Sequence, residues 1–330
     1  MNRDIMGIIV KREDGSEIVN YDDPQFPSYV FEGWVKPNVT WAHVPHFHED
    51  IEMCTITQGK MAYSVNGKTV MLHEGDTIFI NSNQIHYSMC IDDVGARYVI
   101  AVFHPEILNS SVVVEMKAIR PITENKDLPF LRFRDIDEMT TAIEQLMRSL
   151  LPIRHCAFEL TKQYFQIWDL VIKRSEIIGA LGTEESADAR MNTFKTMMGF
   201  ISNNYQRALT LDEIAGSANI SKSLCNLLFK QYVDESPINY LMHLRARKVA
   251  EYLRSSSLSM TEIAALSGFS GVSYMSETFK KFFNATPRDY RKQWAEIARL
   301  EQDAAAKKSA HEVAKKYSDY AYPLQQTKPT

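Results

Sequence analysis

Between residues 28 and 105 apolar and polar positions alternate in short runs. Segments 52–57, 61–65, 69–72, 77–80 and 98–103 are rich in β-branched and aromatic residues, and turn signals separate them: Gln58-Gly59, Asn66-Gly67, Glu74-Gly75 and Asn81-Ser82-Asn83. Val65-Asn66-Gly67-Lys68 predicts a tight hairpin, because Asn-Gly tolerates the positive φ of such a turn. Many short strands at regular spacing predict a barrel or jelly roll. After Asp135 the apolar period becomes helical. Ile136, Met139, Ile143, Leu146, Met147 and Leu150 make one stripe. Pro152 is expected to end that helix, and a second is expected from about residue 155 to 178. Residues 182–188 are small, polar and acidic and read as a linker. Residues 291–317 read as weakly helical and 318–330 as frayed.

The stretch 211–290 contains one pattern twice. Leu211-Asp212-Glu213-Ile214-Ala215 returns as Met260-Thr261-Glu262-Ile263-Ala264, Phe229-Lys230 as Phe279-Lys280, Ser236-Pro237 as Thr286-Pro287, and Tyr240 as Tyr290. The offset is 49 residues for the first pairs and 50 for the later ones, so the second copy carries one extra residue in its middle. Thr210 with Glu213, and Ser259 with Glu262, have capping-box spacing. Ser221 and Ser270 are expected to cap the second helix of each copy, after turns of small residues. Two tandem helix-turn-helix units place two recognition helices on one block, which suits two stretches of DNA major groove.

Residues 193–292 resemble the DNA-binding domain of the AraC/XylS family of bacterial transcription regulators. The resemblance runs through Ile214-Ala215, Ile220-Ser221, Phe229-Lys230, Ser236-Pro237, Tyr240 and Arg245, then through Ile263-Ala264, Gly268-Phe269-Ser270, Phe279-Lys280, Thr286-Pro287 and Tyr290-Arg291. Much of this pattern is packing: Ile214, Ile220, Phe229, Ile263, Phe269 and Phe279 are expected to fill two small cores. The candidate DNA contacts are Ser221, Lys222, Ser223, Asn226, Leu227 and Arg245, with Ser270, Gly271, Val272, Ser273, Ser276 and Glu277 in the second copy. The family often carries Arg two residues before each Phe-Lys pair, where this chain has Leu227 and Glu277. Arg suits guanine O6/N7, Leu can pack on a thymine methyl, and Glu accepts from cytosine N4. The second copy is therefore expected to contribute more to backbone and shape contacts than the first.

Composition sharpens this reading. The chain has 330 residues, 45% of them hydrophobic, enough for two domains with real cores. Its net charge of −4 hides an asymmetry: residues 190–298 hold 14 Lys and Arg against 9 Asp and Glu, a net of +5, and the remainder is acidic. A basic segment in an acidic chain fits phosphate contact and weighs against a repeat used only for protein contacts. The sequence has no membrane-length apolar run and no signal-peptide pattern at the start, so a cytoplasmic protein is expected. Cys54, Cys90, Cys156 and Cys225 are scattered and read as buried reduced thiols.

In the N-terminal half, His46-Phe47-His48, then Glu52, Gly59, Gly75 and His86, resembles the two cupin motifs. The second motif departs, with Asn81 and Asn83 where the cupin family has Pro and Gly. Alternation along a strand sends His46 and His48 to one face. If that face points inward, His46, His48, Glu52 and His86 form three imidazoles and a carboxylate, a set suited to a divalent transition metal. The alternative is a metal-free effector pocket with the same residues and Trp34, Trp41, Phe47, Tyr63, Phe79 and Tyr87 around it, open to a sugar or an aromatic compound.

The expected fold is α+β in two domains. Residues 1–135 form a cupin-like β-barrel (jelly roll) that senses an effector. A helical dimerisation segment (136–181), a linker (182–189), an all-α double helix-turn-helix (190–298) and a tail (299–330) follow. The resemblance implies a DNA-binding regulator with duplex DNA, a small effector, a second copy of the chain and RNA polymerase as partners. The rival reading is a metal-dependent cupin enzyme, an isomerase or dioxygenase, with a DNA-binding appendage.

Overall fold

A computed structural model describes residues 12, 14–36, 44–134, 137–178, 185–296 and 299. Trp41, Ile136, residues 182–184 of the expected linker and the tail beyond residue 299 lie outside the described residues. The strands are β1 (Ser28–Val35), β2 (Ile51–Val65), β3 (Lys68–His73), β4 (Thr77–Ile80), β5 (His86–Cys90), β6 (Ala96–Phe103) and β7 (Phe130–Phe133). They run in the order β1-β6-β2-β4-β7, with β3 and β5 on the second half of β2. Among the described residues the pairing does not close into a ring. The result is two facing sheets of the expected cupin type.

Where the sequence predicts two strands parted at Gln58-Gly59, β2 is one strand of 15 residues. Its first half pairs with β4 and β6, and its second half with β3 and β5. The register shifts between Ile56 and Gln58, and Gly59 has φ +81°. This bulge bends the strand from one sheet into the other, which a turn would not do. A Cβ at Gly59 would lie 2.5 Å from Gly95 O, so glycine is required there.

Alternation on β2 then decides which side chains meet. Cys54 and Ile56 turn between the sheets, into a core with Met61, Tyr63, Leu72 and Ile80. Ile51 and Met53 turn outward beneath α3 (Glu138–Ile153) and α4 (Ala157–Ile178), in a core with Phe79, Phe103, Ile143, Met147, Leu150, Tyr164 and Trp168. Each such fully buried side chain contributes about 1.5–3 kcal/mol. Tyr164 stacks on Phe103 at 4.2 Å and shares a 2.6 Å hydrogen bond with Ser28. Pro152 sits in the last turn of α3 instead of following it, because only one hydrogen bond is lost so near the end. Between β6 and β7, unforeseen in sequence, short helical turns include α1 (Val112–Val114) and α2 (Arg120–Thr123). Asn81, the departure from the cupin pattern, ties them down by donating to Ile122 O at 2.7 Å and Leu128 O at 3.0 Å. The cysteines are all free, but only Cys54 and Cys225 are buried; Cys156, just before α4, is exposed.

The C-terminal half holds α5 (Glu185–Asn204), α6 (Leu211–Ser217), α7 (Lys222–Val233), α8 (Pro237–Ser255), α9 (Met260–Leu266) and α10 (Val272–Phe283). Helix α5 begins inside the stretch expected as linker. Phe194, Met197, Met198 and Ile201 form its buried stripe, and no Gly or Pro upstream stops the helix from propagating back to Glu185. Both capping boxes form. The Arg207 guanidinium and the Thr210 amide and hydroxyl hold the Glu213 carboxyl down at about 2. The two helix-turn-helix turns use the same left-handed position, Asn219 at φ +54° and Gly268 at φ +78°. Helix α8 gives Leu241 and Leu244 to the first small core and Val249 and Leu253 to the second, which joins the units into one block.

Candidate DNA interface and histidine–glutamate centre

On α7 the expected contacts share an exposed face. Ser221 caps the helix by accepting from Leu224 N at 3.2 Å. Lys222, Ser223, Asn226 and Leu227 are exposed, Leu227 to 55% although it is apolar. Lys222 reaches Asp212 at 2.9 Å in a surface pair that DNA phosphate can displace at little cost. Asn226 donates to Lys222 O at 3.0 Å and keeps its carbonyl outward.

On α10 the cap is Gly271, which supplies no side-chain bond. Ser270 is therefore exposed but is not the cap, because the extra residue of the second copy falls between Phe269 and the helix. The first amides of α10 keep no side-chain partner from the cap, an arrangement suited to a phosphate. Ser273 and Glu277 are exposed and Ser276 is half-buried. Val272 packs against the second core, so its backbone and not its side chain faces outward. Tyr274, which the sequence reading passed over, is 47% exposed on this helix and lies edge-on to Phe269 at 5.7 Å. The signal was available: it occupies the position of Leu224 fifty residues earlier.

Arg245 is corrected outright. It is 6% exposed, and its guanidinium donates to Tyr205 O at 2.8 Å and Arg207 O at 2.7 Å. A Cβ at Gly268 would come within 3.0 Å of its Nε. Arg245 therefore ties the end of α5 to the second turn and offers nothing to DNA.

In the cupin half the four expected residues do converge. One ligand atom from each of His46, His48, Glu52 and His86 lies within 4.8 Å of all the others. His46 and His86 form a bridge, exchanging backbone hydrogen bonds of 3.1 and 2.9 Å. His86 Nε2 lies 3.2 Å and His48 Nε2 3.7 Å from Glu52 Oε2. Tyr63, on the second half of β2, donates to the other oxygen at 2.9 Å. Each histidine places Nδ1 on a backbone carbonyl: Val44 O at 2.7 Å, Asp50 O at 3.0 Å and Gln84 O at 2.8 Å. Those contacts favour the tautomer with Nδ1–H and leave the Nε2 lone pairs for the centre.

The electrostatics follow from this crowding. His46 keeps 18% of its side chain exposed, yet burial of the ring, with the positive potential of His86, holds its pKa well below the ordinary imidazole range. Burial also opposes charge on His48, but the hydrogen bond and charge of Glu52 outweigh it and raise its pKa. Burial would raise Glu52, and the surrounding histidines instead hold it well below the usual carboxylate range. A carboxylate among three imidazoles whose Nδ1 atoms are held by backbone carbonyls is a donor set that fits a divalent transition metal.

The aromatic lining expected around this centre forms only in part among the described residues. Trp34 is 40% exposed, Phe79 lies under α3 and α4, and Phe47 faces the C-terminal half. Tyr63 donates to Glu52 and Tyr87 is buried on β5, while Trp41 lies outside the described residues. Asn83, the second departure from the cupin pattern, holds φ +64°, the conformation a glycine would take.

A cupin joined to two helix-turn-helix units with an exposed polar recognition face is a DNA-binding regulator. Residues 214–293 match the family described as a helix-turn-helix domain, and residues 35–103 match the cupin domain. The chain is 24% identical over 285 residues to the HTH-type transcriptional regulator YdeC of Bacillus subtilis, covering 84% of this chain and 95% of that one. It is 24% identical over 272 residues to the HTH-type transcriptional activator RhaS of Enterobacter sp., covering 81% and 94%. To the melibiose operon regulatory protein of Escherichia coli K12 it is 25% identical over 261 residues, covering 75% and 83%. The two matched domains and these relatives support the resemblance to the AraC/XylS family of transcription regulators. These relatives are regulators, and the enzyme alternative is set aside. Among the described residues no helix is long and apolar enough to cross a membrane.

Proposed function

We propose that this regulator reads DNA chiefly through Lys222, Ser223, Asn226 and Leu227, with Ser273, Ser276, Glu277 and the uncapped start of α10 on the second stretch, and that a divalent transition-metal ion at His46, His48, Glu52 and His86 is its effector. The convergence of one ligand atom from each of the three histidines and Glu52 within 4.8 Å, with every histidine Nδ1 held by a backbone carbonyl, carries the second part. Once bound, the ion would supply positive charge in place of a proton and cross-link the 46–48 segment to β2 and β5. A plain sugar or aromatic pocket has less support, since Trp34, Phe47 and Phe79 of the expected lining point elsewhere. The protein acts as a homodimer through α3 and α4, in the cytoplasm beside RNA polymerase, with residues 1–135 sensing and 190–298 binding DNA.

The test is elemental analysis of untagged protein dialysed against Zn2+, Ni2+ or Mn2+. One ion per chain is expected in the native protein and none in the His46→Ala/His48→Ala variant, which should also lose effector-dependent transcription. Loss of the response with no metal in either protein would favour an organic effector, and a normal response in the variant would remove the centre from sensing altogether.

A further inference from the structure

The backbone that carries the histidines faces two ways. His46 and His48 turn toward Glu52, while Phe47 between them turns away and is 4% exposed. Across the bridge, Ile85 does the same beside His86 and is 1% exposed. Neither joins the two cores of the cupin half. Both belong to the core of the first helix-turn-helix, with Phe194, Met197, Leu228 and Phe229. Phe194 of α5 in turn meets Phe229 of α7 edge-on at 4.8 Å.

Polar contacts fasten the same junction. The Lys195 ammonium lies 4.4 Å from the Phe47 ring centroid and donates to Asn83 O at 2.6 Å. Asn83 N donates onward to His48 O at 2.7 Å. Gly15 packs so tightly on α5 that a Cβ there would lie 2.9 Å from Gly199 Cα, and Glu17, two residues later, reaches His46 Nε2 at 3.5 Å. At the hairpin tip, a Cβ on Gly67 would lie 1.9 Å from Gln231 O in the last turns of α7.

We infer that residues 46–48 with 85–86 are a two-sided coupling element, with the histidine–glutamate centre on one side and the base of recognition helix α7 on the other, so that filling the centre and engaging DNA alter each other's affinity. This rests on the metal reading above. The physical reason is that Phe47 and Ile85 cannot shift with their neighbouring histidines without disturbing a close-packed core that α7 shares. Coupling of this kind is reciprocal, so DNA must change ion affinity by the factor by which the ion changes DNA affinity.

The experiment uses the full chain, Zn2+ as the probe and a duplex selected from genomic fragments. Saturating Zn2+ is expected to shift DNA affinity by about fivefold or more, and DNA to shift Zn2+ affinity equally. Ile85→Ala and Lys195→Ala should each keep Zn2+ stoichiometry and zinc-free DNA affinity while the shift shrinks below about twofold. Lys195→Ala carries the test if the larger core deletion unfolds. Full Zn2+ binding with unchanged DNA affinity overturns the coupling and leaves the metal reading standing, and so does a shift that survives in a folded variant. No Zn2+ uptake defeats the metal reading instead. The coupling is then decided by amide hydrogen exchange at residues 46–48 and 85–86: DNA must change protection there, and unchanged protection overturns it.

Discussion

Arg245 shows how a residue's chemistry depends on what covers it. Its guanidinium serves two backbone carbonyls, Tyr205 O and Arg207 O, in the turn that follows α5. Arg245→Ala should therefore lower the stability of the C-terminal half by about 1.5–3 kcal/mol, the range for hydrogen bonds to a charged group. Denaturant titration checks this, and unchanged stability with weaker DNA binding would restore Arg245 as a DNA contact. The reverse holds at Leu227. At 55% exposure it has little packing to lose, so Leu227→Ala should leave stability within about 0.5 kcal/mol while changing base preference in a selection experiment.

At the scale of the element, the two recognition helices differ in kind. Helix α7 has a hydroxyl cap and Lys222, Asn226 and Leu227 outward. Helix α10 has an uncapped start, an exposed tyrosine and a carboxylate. Lys222→Ala is expected to reduce the slope of log affinity against log salt by about one and to weaken binding to all sequences alike. Glu277→Arg should strengthen binding and change preference only in the second half-site, because it exchanges an acceptor for a bidentate donor. Affinity that rises with no change in preference would place Glu277 against phosphate or solvent. Legibility varied between elements for a local reason. Caps, boxes and the Asn-Gly hairpin are written in a few adjacent residues, and both capping boxes formed as read. Gly59 reads as a turn between two strands but lies at a bulge within one, because which of the two forms depends on the strands on either side.

For the whole molecule, the helix pair divides its apolar residues between core and surface. Ile143, Leu150 and Trp168, within the segment 136–181 expected to dimerise, are buried against the sheet, and Met139, Leu146 and Ile172 pack on the same core. Outward stand Phe158, 78% exposed, Ile177 near the end of α4, and Phe165, 36% exposed in a groove lined also by Leu146, Ser149 and Leu170. If this face joins two copies, Phe158→Glu with Phe165→Glu should convert a dimer into a monomer in sedimentation at micromolar concentration, with the fold intact by circular dichroism. A native protein already monomeric with and without DNA would rule the interface out. The predicted stripe was real, but an apolar stripe reports only that something covers it.

Periodicity, caps and paired motifs in the sequence determined the double helix-turn-helix, the strand-rich first half and the identity of the four residues at the histidine–glutamate centre. The first two follow from short-range rules, helical period and hydroxyl and carboxylate spacing, whereas the four residues are named by the resemblance to the cupin motifs, alternation adding only that His46 and His48 share a face. Tertiary structure alone decided that Arg245 is a strut, that most of the α3 and α4 stripe is core, that α5 extends through part of the expected linker, and that Phe47 and Ile85 leave the cupin for the core of the other half. Alternation fixes that two side chains point in opposite directions, but the identity of the surface waiting on each side comes from packing between segments far apart in the chain.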